Sequence, residues 1–348
     1  TQGVSSAASD VYKRQGIDGT IKLWSVDGKL LKTLQGHQNA IWDLAFCSQG
    51  NLLVSVSNDY TAKLWQIDGT LVRTLQSNEA ILGVDCQGEY IATSGKDDGV
   101  KIWTIDGTFI KDLKQHLTTV RDVALSSDGL MAASASDDGT VKLWQRNKYL
   151  VKPLYSHQDS IWQIATSPDG KWIASVSEDD TLNLWRSDGK LRQIIKQPQS
   201  SFRSLRFSPD SRMMVTVNTK RLVQLWDLDD RNKSPLKLLR TLTGHQAGIF
   251  AVAISPDGKT IASGSDDKTI KIWNLEGKLL HSIKAHNDRI WQLTFSPDGK
   301  ILASASQDGT VKLWQPDGNA VKTLTFEQGG ILGLAFSPQG NRIVTASL

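Results

Sequence analysis

The sequence predicts an all-β chain, a β-propeller of four-stranded antiparallel blades in which eight blades close a ring. Two observations carry that expectation. Tryptophan returns at one phase of a repeating unit, at Trp24, Trp65, Trp103, Trp144, Trp185, Trp226, Trp273 and Trp314, with spacings of 41, 38, 41, 41, 41, 47 and 41 residues. A period of ~40–45 residues with four short strands per unit is that of a propeller blade. The ends also complement each other. Gly16–Gln35 supplies a third and fourth strand (TIKLWSV, KLLKTLQ) without a first and second, and Ile331–Leu348 supplies a first and second (ILGLAFS, RIVTASL) without a third. One blade built from both would close the ring and remove the exposed sheet edges that invite aggregation. Seven blades plus a stray unit is the competing count, and in a longer parent array this closure would be fortuitous.

Each element of a unit can be justified from Ala285 to Phe326. IWQLTF alternates as a strand should, with Trp291, Leu293 and Phe295 on one side. SPDG follows, with Pro297 preset for a turn and Gly299 free to take positive φ. ILASAS is a short second strand of small residues, suited to tight packing. QDG turns the chain, TVKLW is the third strand, PDG turns it again, and AVKTLTF is the outer fourth. Both faces of a blade are sandwiched between neighbours, which explains the density of Ile, Leu, Val and Trp on the inner strands.

Composition narrows the class. The 348 residues carry 40 basic and 36 acidic side chains spread evenly along the repeats, a net charge of +4. Neither nucleic acid nor an anionic membrane is implied, since either would call for a concentrated basic patch. Cys47 and Cys86 are too few for a disulfide framework and lack metal-ligand spacing. No apolar run is long enough to span a bilayer and no secretory start is present, so a cytoplasmic protein without metal or cofactor is expected. Residues 1–15 lie outside the repeat. Asp10–Gln15 (DVYKRQ) looks like the translated end of a sequencing-library transposon, so this leader is read as non-native or disordered, and residues 16–348 as the propeller. The stop in mid-motif at TASL suggests a fragment of a longer protein.

The Gly-His dipeptides Gly36-His37 and Gly244-His245, the SPDG turns, the D-x-T-x-K-L-W strands and the period resemble the WD40-repeat family from Gly16 to Leu348. Only Trp226-Asp227 keeps the WD dipeptide; the other units read WS, WQ, WT, WQ, WR, WN and WQ. The W-x-x-D-G-x-L-L-x-T-L run is most similar to the regular arrays of bacteria, cyanobacteria especially, which often sit behind a signalling ATPase, a protease-like domain or a kinase. The resemblance implies a scaffold rather than an enzyme.

Five blades carry histidine, serine, aspartate and tryptophan at fixed offsets: His37/Ser55/Asp59/Trp65, His116/Ser134/Asp138/Trp144, His157/Ser175/Asp179/Trp185, His245/Ser263/Asp267/Trp273 and His286/Ser304/Asp308/Trp314. A serine, histidine and aspartate together invite a hydrolase reading. The resemblance implies instead a buried hydrogen-bond chain tying the strands of a blade together, since buried polar groups need partners. Five identical copies also argue against catalysis, which needs one. Ser77, Pro198 and Glu327 stand at three histidine positions and Lys220 at the turn aspartate of the Trp226 blade. These blades are expected to be the softest, the Trp226 blade most of all. His281, on an outer strand, is expected to be exposed.

The residue five after each histidine position opens the innermost strand at the top rim: Trp42, Leu82, Arg121, Trp162, Arg203, Phe250, Trp291 and Leu332. Arg289 stands two before Trp291, while small residues (Ala40, Gly248, Gly330) hold that place elsewhere. Asn58, Asp137, Glu178, Asp266 and Gln307 precede the turn aspartates. In the resembled family these positions surround the channel mouth and carry partner contacts. Tryptophan, phenylalanine and arginine are also the residues of interface hot spots. The competing reading is packing between blades, which suits Leu82 and Leu332 but not Arg121 and Arg203, whose guanidinium groups gain nothing from unpaired burial. An acidic or apolar peptide segment is the expected ligand, limited by the acidic pre-turn residues. The six-residue insertion around DLDDRNKSPLKLL on the bottom rim reads as a tolerated loop. Lys22, Lys63, Lys101, Lys142, Lys271 and Lys312 read as paired or solvated structural residues. The leading function is a non-enzymatic platform for a protein or peptide. The alternatives are an enzyme or cofactor-binding propeller, and an array packing against domains of its own parent chain.

Overall fold

The computed structural model describes residues 19–47, 50–145, 148–155, 157–326 and 329–347. The leader 1–15, Asp18, Glu327 and Leu348 lie outside these residues. The described residues form eight four-stranded antiparallel sheets. Seven blades are continuous in sequence, and the eighth is assembled from both ends, in the order Leu30–Leu34, Ile21–Ser25, Arg342–Ser347, Ile331–Phe336. There Ile21 pairs with Ala346, Lys22 with Thr345 and Leu23 with Val344. The expected closure is therefore present in full.

The core is divided among the spaces between blades. Trp65 packs with Ile21, Leu23 and Val344 of the blade before it, and Trp24 packs with Ala303, Val311 and Leu313 of its own predecessor. Each third-strand tryptophan thus fastens its blade to the preceding one, burying a large apolar side chain worth about 1.5–3 kcal/mol. The second strands, such as Leu302–Ser306, are buried along their whole length, as expected for strands covered on both faces.

The inner strands depart from simple alternation. In all eight, the register slips by one residue at the rim position: Ile41 pairs with Ser57 and Asp43 with Val56, leaving Trp42 as the extra residue. The same slip isolates Leu82, Arg121, Trp162, Arg203, Phe250, Trp291 and Leu332. A bulge re-aims one side chain while the strand on either side keeps its pairing. Trp42 and Trp291 therefore do not share a face with the residues two further on. Ile290, Leu293 and Phe295 are the buried residues of their strand, and Trp291 is half-buried.

The two cysteines, too few for a framework, are nevertheless bonded to each other. Cys47 follows one innermost strand and Cys86 lies one residue before the end of the next, Ile81–Gln87, so the bond crosses from the Trp65 blade to the Trp103 blade. The insertion is pinned to the preceding blade. Asp230 meets Arg186 and Arg192, and Gln193 exchanges hydrogen bonds with the backbone of Leu236 at 2.8 and 3.0 Å. His281 is half-buried rather than exposed, since its outer strand lies beside the Gly318 turn. The recurrent lysines are paired. Lys63 donates to Thr74 at 3.1 Å, Lys271 to Ser282 at 2.7 Å and Lys312 to the Ala285 carbonyl at 2.6 Å. Lys22 sits 4.4 Å over the Phe326 ring.

Candidate interaction surface at the channel mouth

The serine, histidine and aspartate constellations form inside the blades. In the Trp273 blade the indole donates to Ser263 Oγ at 3.0 Å, His245 Nε2 meets the same hydroxyl at 2.8 Å, and His245 Nδ1 meets Asp267 at 2.8 Å. Three blades repeat this chain. Ser55 accepts from Trp65 at 2.9 Å and meets His37 at 2.7 Å, with His37 2.9 Å from Asp59. Ser134 accepts from Trp144 at 3.0 Å and meets His116 at 2.8 Å, with His116 3.0 Å from Asp138. Ser304 accepts from Trp314 at 2.9 Å and meets His286 at 2.7 Å, with His286 3.1 Å from Asp308. In the Trp185 blade His157 meets Ser175 at 2.6 Å and Asp179 at 3.2 Å, while Asn183, at the lysine position, adds a contact to His157 at 2.9 Å.

The hydrolase reading, set aside above in favour of structural links, requires a serine that a substrate can reach. Ser55, Ser134, Ser175, Ser263 and Ser304 are all 0% exposed. Each lies in the middle of a second strand covered by neighbouring blades, with its hydroxyl held by the imidazole and, in all but Ser175, by the indole as well, so none can be presented as a nucleophile. These five are structural links inside the blades and form no part of the rim surface.

A fifth member of each chain, the threonine two after the aspartate, is contained in the D-x-T pattern but carries no separate signal there. Thr61, Thr140, Thr181, Thr269 and Thr310 each donate to their aspartate at 2.6 Å. Burial would raise these carboxyls. Hydrogen bonds from histidine, threonine and backbone outweigh it and hold Asp59, Asp179, Asp267 and Asp308 well below the ordinary range and Asp138 at about 2. In the blades whose histidine position holds Ser77, Pro198 or Glu327, threonine replaces the serine: Trp103, Trp226 and Trp24 donate to Thr93, Thr216 and Thr345 at 3.2, 2.9 and 3.0 Å. Lys101 substitutes for the imidazole in the Trp103 blade, bridging Asp97 and Ser77. The Trp226 blade has no such bridge among the described residues. Lys220 reaches the Pro198 carbonyl at 3.2 Å, and the buried Gln224 Oε1 has no donor.

At the rim the bulges bring most of the expected residues into one ribbon. Arg121 pairs with Asp137 and lies 5.0 Å over Trp162. Arg203 lies 4.3 Å over the same ring, which donates its indole N–H to Glu178. Arg203 also pairs with Glu178, at 2.6 and 3.0 Å. Arg289 pairs with Asp266 at 2.9 and 3.1 Å and stacks between Phe250 (4.4 Å) and Trp291 (4.8 Å), while Trp291 donates to Gln307 at 2.8 Å. The arginines are therefore neither unpaired nor free to seek an acidic ligand, which corrects the argument made from their burial. The pre-turn acids neutralise them. Asn58 bonds Asn39 at 3.5 Å, and Leu82 and Leu332 are half-buried. Trp162 remains 37% exposed.

Below the rim the channel wall carries side chains that sequence reasoning passed over. Asp43, Asp122 and Gln163 directly follow bulge residues, and Asp85 and Arg206 lie two positions further along their strands. Asp43 accepts N–H bonds from Leu44 (2.8 Å) and, across the seam, from Val84 (3.2 Å). Asp85 does the same with Cys86 and Leu125, and Asp122 with Val123 and Ile164. Gln163 accepts from Leu205 and Ser204 at 3.0 Å. Four successive seams, from the Trp65 blade to the Trp226 blade, are thus clamped from inside the channel. Burial pushes Asp43 up to about 7, helped by the nearby Asp122 charge, and pushes Asp122 up to about 6; Asp85 is raised as well. A cavity of about 230 Å³ opens at the mouth, walled by Trp162, Phe250, Trp291 and Arg203 and floored by Asp43, Gln163, Arg206 and Gln292. No group of ligating side chains suited to a metal ion occurs among the described residues.

Comparison with known proteins agrees with this architecture. The profile "WD domain, G-beta repeat" (WD40) matches residues 28–66, 69–104, 107–145, 148–186, 189–227, 236–274, 277–315 and 318–348. Nuclear distribution protein PAC1 of Candida albicans is 48% identical over 48 residues, 14% of this chain and 10% of PAC1. Vegetative incompatibility protein HET-E-1 of Podospora anserina is 60% identical over 35 residues, 10% of this chain and 3% of its own. Pre-mRNA-splicing factor PRP46 of Yarrowia lipolytica is 47% identical over 47 residues, 13% and 11% of the two chains. The aligned stretches thus span only a small part of these curated relatives. Among solved structures, the computationally designed Ika8 protein superposes with a TM-score of 0.75 at 29% identity, covering 86% of this chain and 91% of that one.

Proposed function

The chain belongs to the WD40-repeat family, and on that premise we propose that it is a non-enzymatic scaffold or sensor module that docks a protein or peptide on the top rim of its ring. The observation that carries this reading is the arrangement at the mouth. Eight bulges turn one side chain each toward the rim, and three aromatic residues, the half-open Trp162 among them, surround a cavity. Aromatic anchors in a pocket fringed by paired charges are the usual makeup of an interface centre. Among the described residues, the five serines that stand with a histidine and an aspartate are sealed inside their blades, which counts against the hydrolase reading.

The test compares residues 16–348 with the Trp42/Trp162/Trp291→Ala variant in capture from lysate of the source organism, after circular dichroism has shown both to be folded. Loss of a specific partner from the folded variant supports rim docking. Equal retention moves the site elsewhere. Binding of a sister domain of a longer parent chain, supplied in trans, would favour the intramolecular alternative. A cytoplasmic location remains part of this reading. The Cys47–Cys86 bond weighs against it, because such bonds persist chiefly in oxidising compartments, and thiol trapping in fractionated cells decides between the two.

A further inference from the structure

We propose that the floor of the mouth cavity is a carboxylate site, in which Arg206, supported by Gln163 and Gln292, receives an acidic side chain or a C-terminal carboxylate of the docked partner. The identity of the occupant rests on the rim-docking reading; the site itself does not.

Arg206 carries the argument. A guanidinium has five N–H donors, and among the described residues Arg206 uses one, from Nη1 to the carbonyl of Leu205 at 2.8 Å. Asp122 and Asp43 act on it through longer-range charge, without an ion pair among the described residues. The other rim and channel arginines differ: Arg121, Arg203 and Arg289 each hold a carboxylate. Arg206 is half-buried and lines the cavity, so its remaining N–H groups are open to a ligand there, and burial pulls its proton affinity below the usual arginine range. The donors around it point the same way. Gln163 spends its amide oxygen on Ser204 and Leu205, which leaves its NH₂ group over, and Gln292 has no protein hydrogen bond among the described residues. Both line the cavity with Arg206.

The neighbouring acids do not make this a cation site. Both oxygens of Asp43, Asp85 and Asp122 are already engaged by backbone N–H groups as seam clamps. Donors are therefore what the floor has to spare. A planar carboxylate matches the guanidinium fork in a bidentate pair. A phosphate dianion would call for more positive charge than one arginine among neutral amides provides. The cavity, about 230 Å³, has room for a side-chain carboxylate entering between Trp162 and Trp291.

The charged groups facing the site are Arg206, Arg203, Asp43, Asp122 and, lower on the wall, Asp85. Asp43 gains its negative charge as pH rises through about 7, so a bound carboxylate should be held several-fold more weakly at pH 8 than at pH 6. A cation would show the opposite trend.

The experiment titrates the folded chain with sodium acetate against sodium chloride at fixed ionic strength, following the indole N–H resonances of Trp162 and Trp291. A saturable shift in the parent, lost in Arg206→Gln, weakened in Gln292→Met and weaker at pH 8 than at pH 6, is the expected result. Gln292→Met breaks no protein hydrogen bond among the described residues, so it keeps the test decisive if Arg206→Gln does not fold. N-acetylaspartate amide and acetyl-Ala-Ala with a free or amidated C-terminus then separate a side-chain source from a terminal one. No saturable response to acetate, an unchanged response in Gln292→Met, or a saturable response to methylammonium in its place would overturn the proposal. Acetate binding with no captured partner sinks rim docking and leaves the site standing; a captured partner with no acetate response does the reverse.

Discussion

Removing the carboxylate of Asp267 should cost far more than removing the side chain that replaces it in the defective blade. Asp267 accepts from Gln246 N and His245 Nδ1 at 2.8 Å, Thr269 N at 2.9 Å and Thr269 Oγ1 at 2.6 Å, with its side chain 8% exposed. In Asp267→Ala the threonine hydroxyl can rotate to another acceptor. The Thr269 N–H cannot, while His245 Nδ1 keeps only that hydroxyl, 3.2 Å away, and a buried donor left unmatched costs about 1–3 kcal/mol. That one donor, with the weakened histidine contact, places the expected loss at about 2–3 kcal/mol. Lys220, at the equivalent position of the Trp226 blade, contributes one exposed bond to Pro198, so Lys220→Ala should stay within about 0.5 kcal/mol of the parent. Urea unfolding gives the global figure, and native-state hydrogen exchange over Thr269–Asn274 and Val223–Leu228 gives the local one. In the parent, the Trp226 blade should exchange fastest. A loss below about 1 kcal/mol in Asp267→Ala, or equal effects of the two substitutions, would refute the idea that these hydrogen-bond chains hold the blades together.

Stability should peak near pH 4–5. The blade aspartates have depressed folded values, so their contribution is present above the unfolded value near ~4 and is lost as pH falls through the folded one, about 2 for Asp138. The channel acids act in reverse. Between ~4 and 7 the folded state holds protons on Asp43 and Asp122 that the unfolded state has released, so stability declines as pH climbs through that window. Urea midpoints rising steadily from pH 3 to 8 would contradict this. Reducing the Cys47–Cys86 bond, which closes a loop over a separation of 39 residues, should lower stability by about 4 kcal/mol on the chain-entropy estimate; identical midpoints with and without dithiothreitol would exclude a closed bond. Lys268 holds φ at 70° with an exposed side chain, where the Trp24, Trp144 and Trp314 blades use glycine. Lys268→Gly should therefore stabilise by up to about 1 kcal/mol, seen as a higher midpoint.

The blade period and the buried constellations were legible because both depend on fixed offsets within one unit. Closure was legible because the half-units at the two ends fit one another. The rim positions could be counted out, but the reason they face the mouth, a bulge at the residue after each buried Ile, Val or Phe, leaves no mark in alternation. Trp291 therefore looked like a partner of Leu293. The rim pairings were hidden for a related reason. Asp137 lies sixteen residues after Arg121, while Glu178 and Asp266 belong to the blades before Arg203 and Arg289. The cysteines did carry a usable signal, since residues about one period apart come to lie side by side on adjacent blades. Asp43, Asp122 and Arg206 offered none, because single polar residues in apolar strands acquire meaning only once eight strands surround a common axis.

The blade assembled from both ends has a kinetic consequence. Pairing Ile21–Ser25 with Arg342–Ser347 joins segments more than three hundred residues apart, the most distant contact among the described residues and hence one with a large loop-closure entropy. Seven blades can condense from neighbouring segments while this one waits for its missing half. During that wait a second molecule can supply the same strands in the same register. Refolding at high concentration should then yield reciprocal or open-ended exchange between copies, whereas dilution favours the single ring.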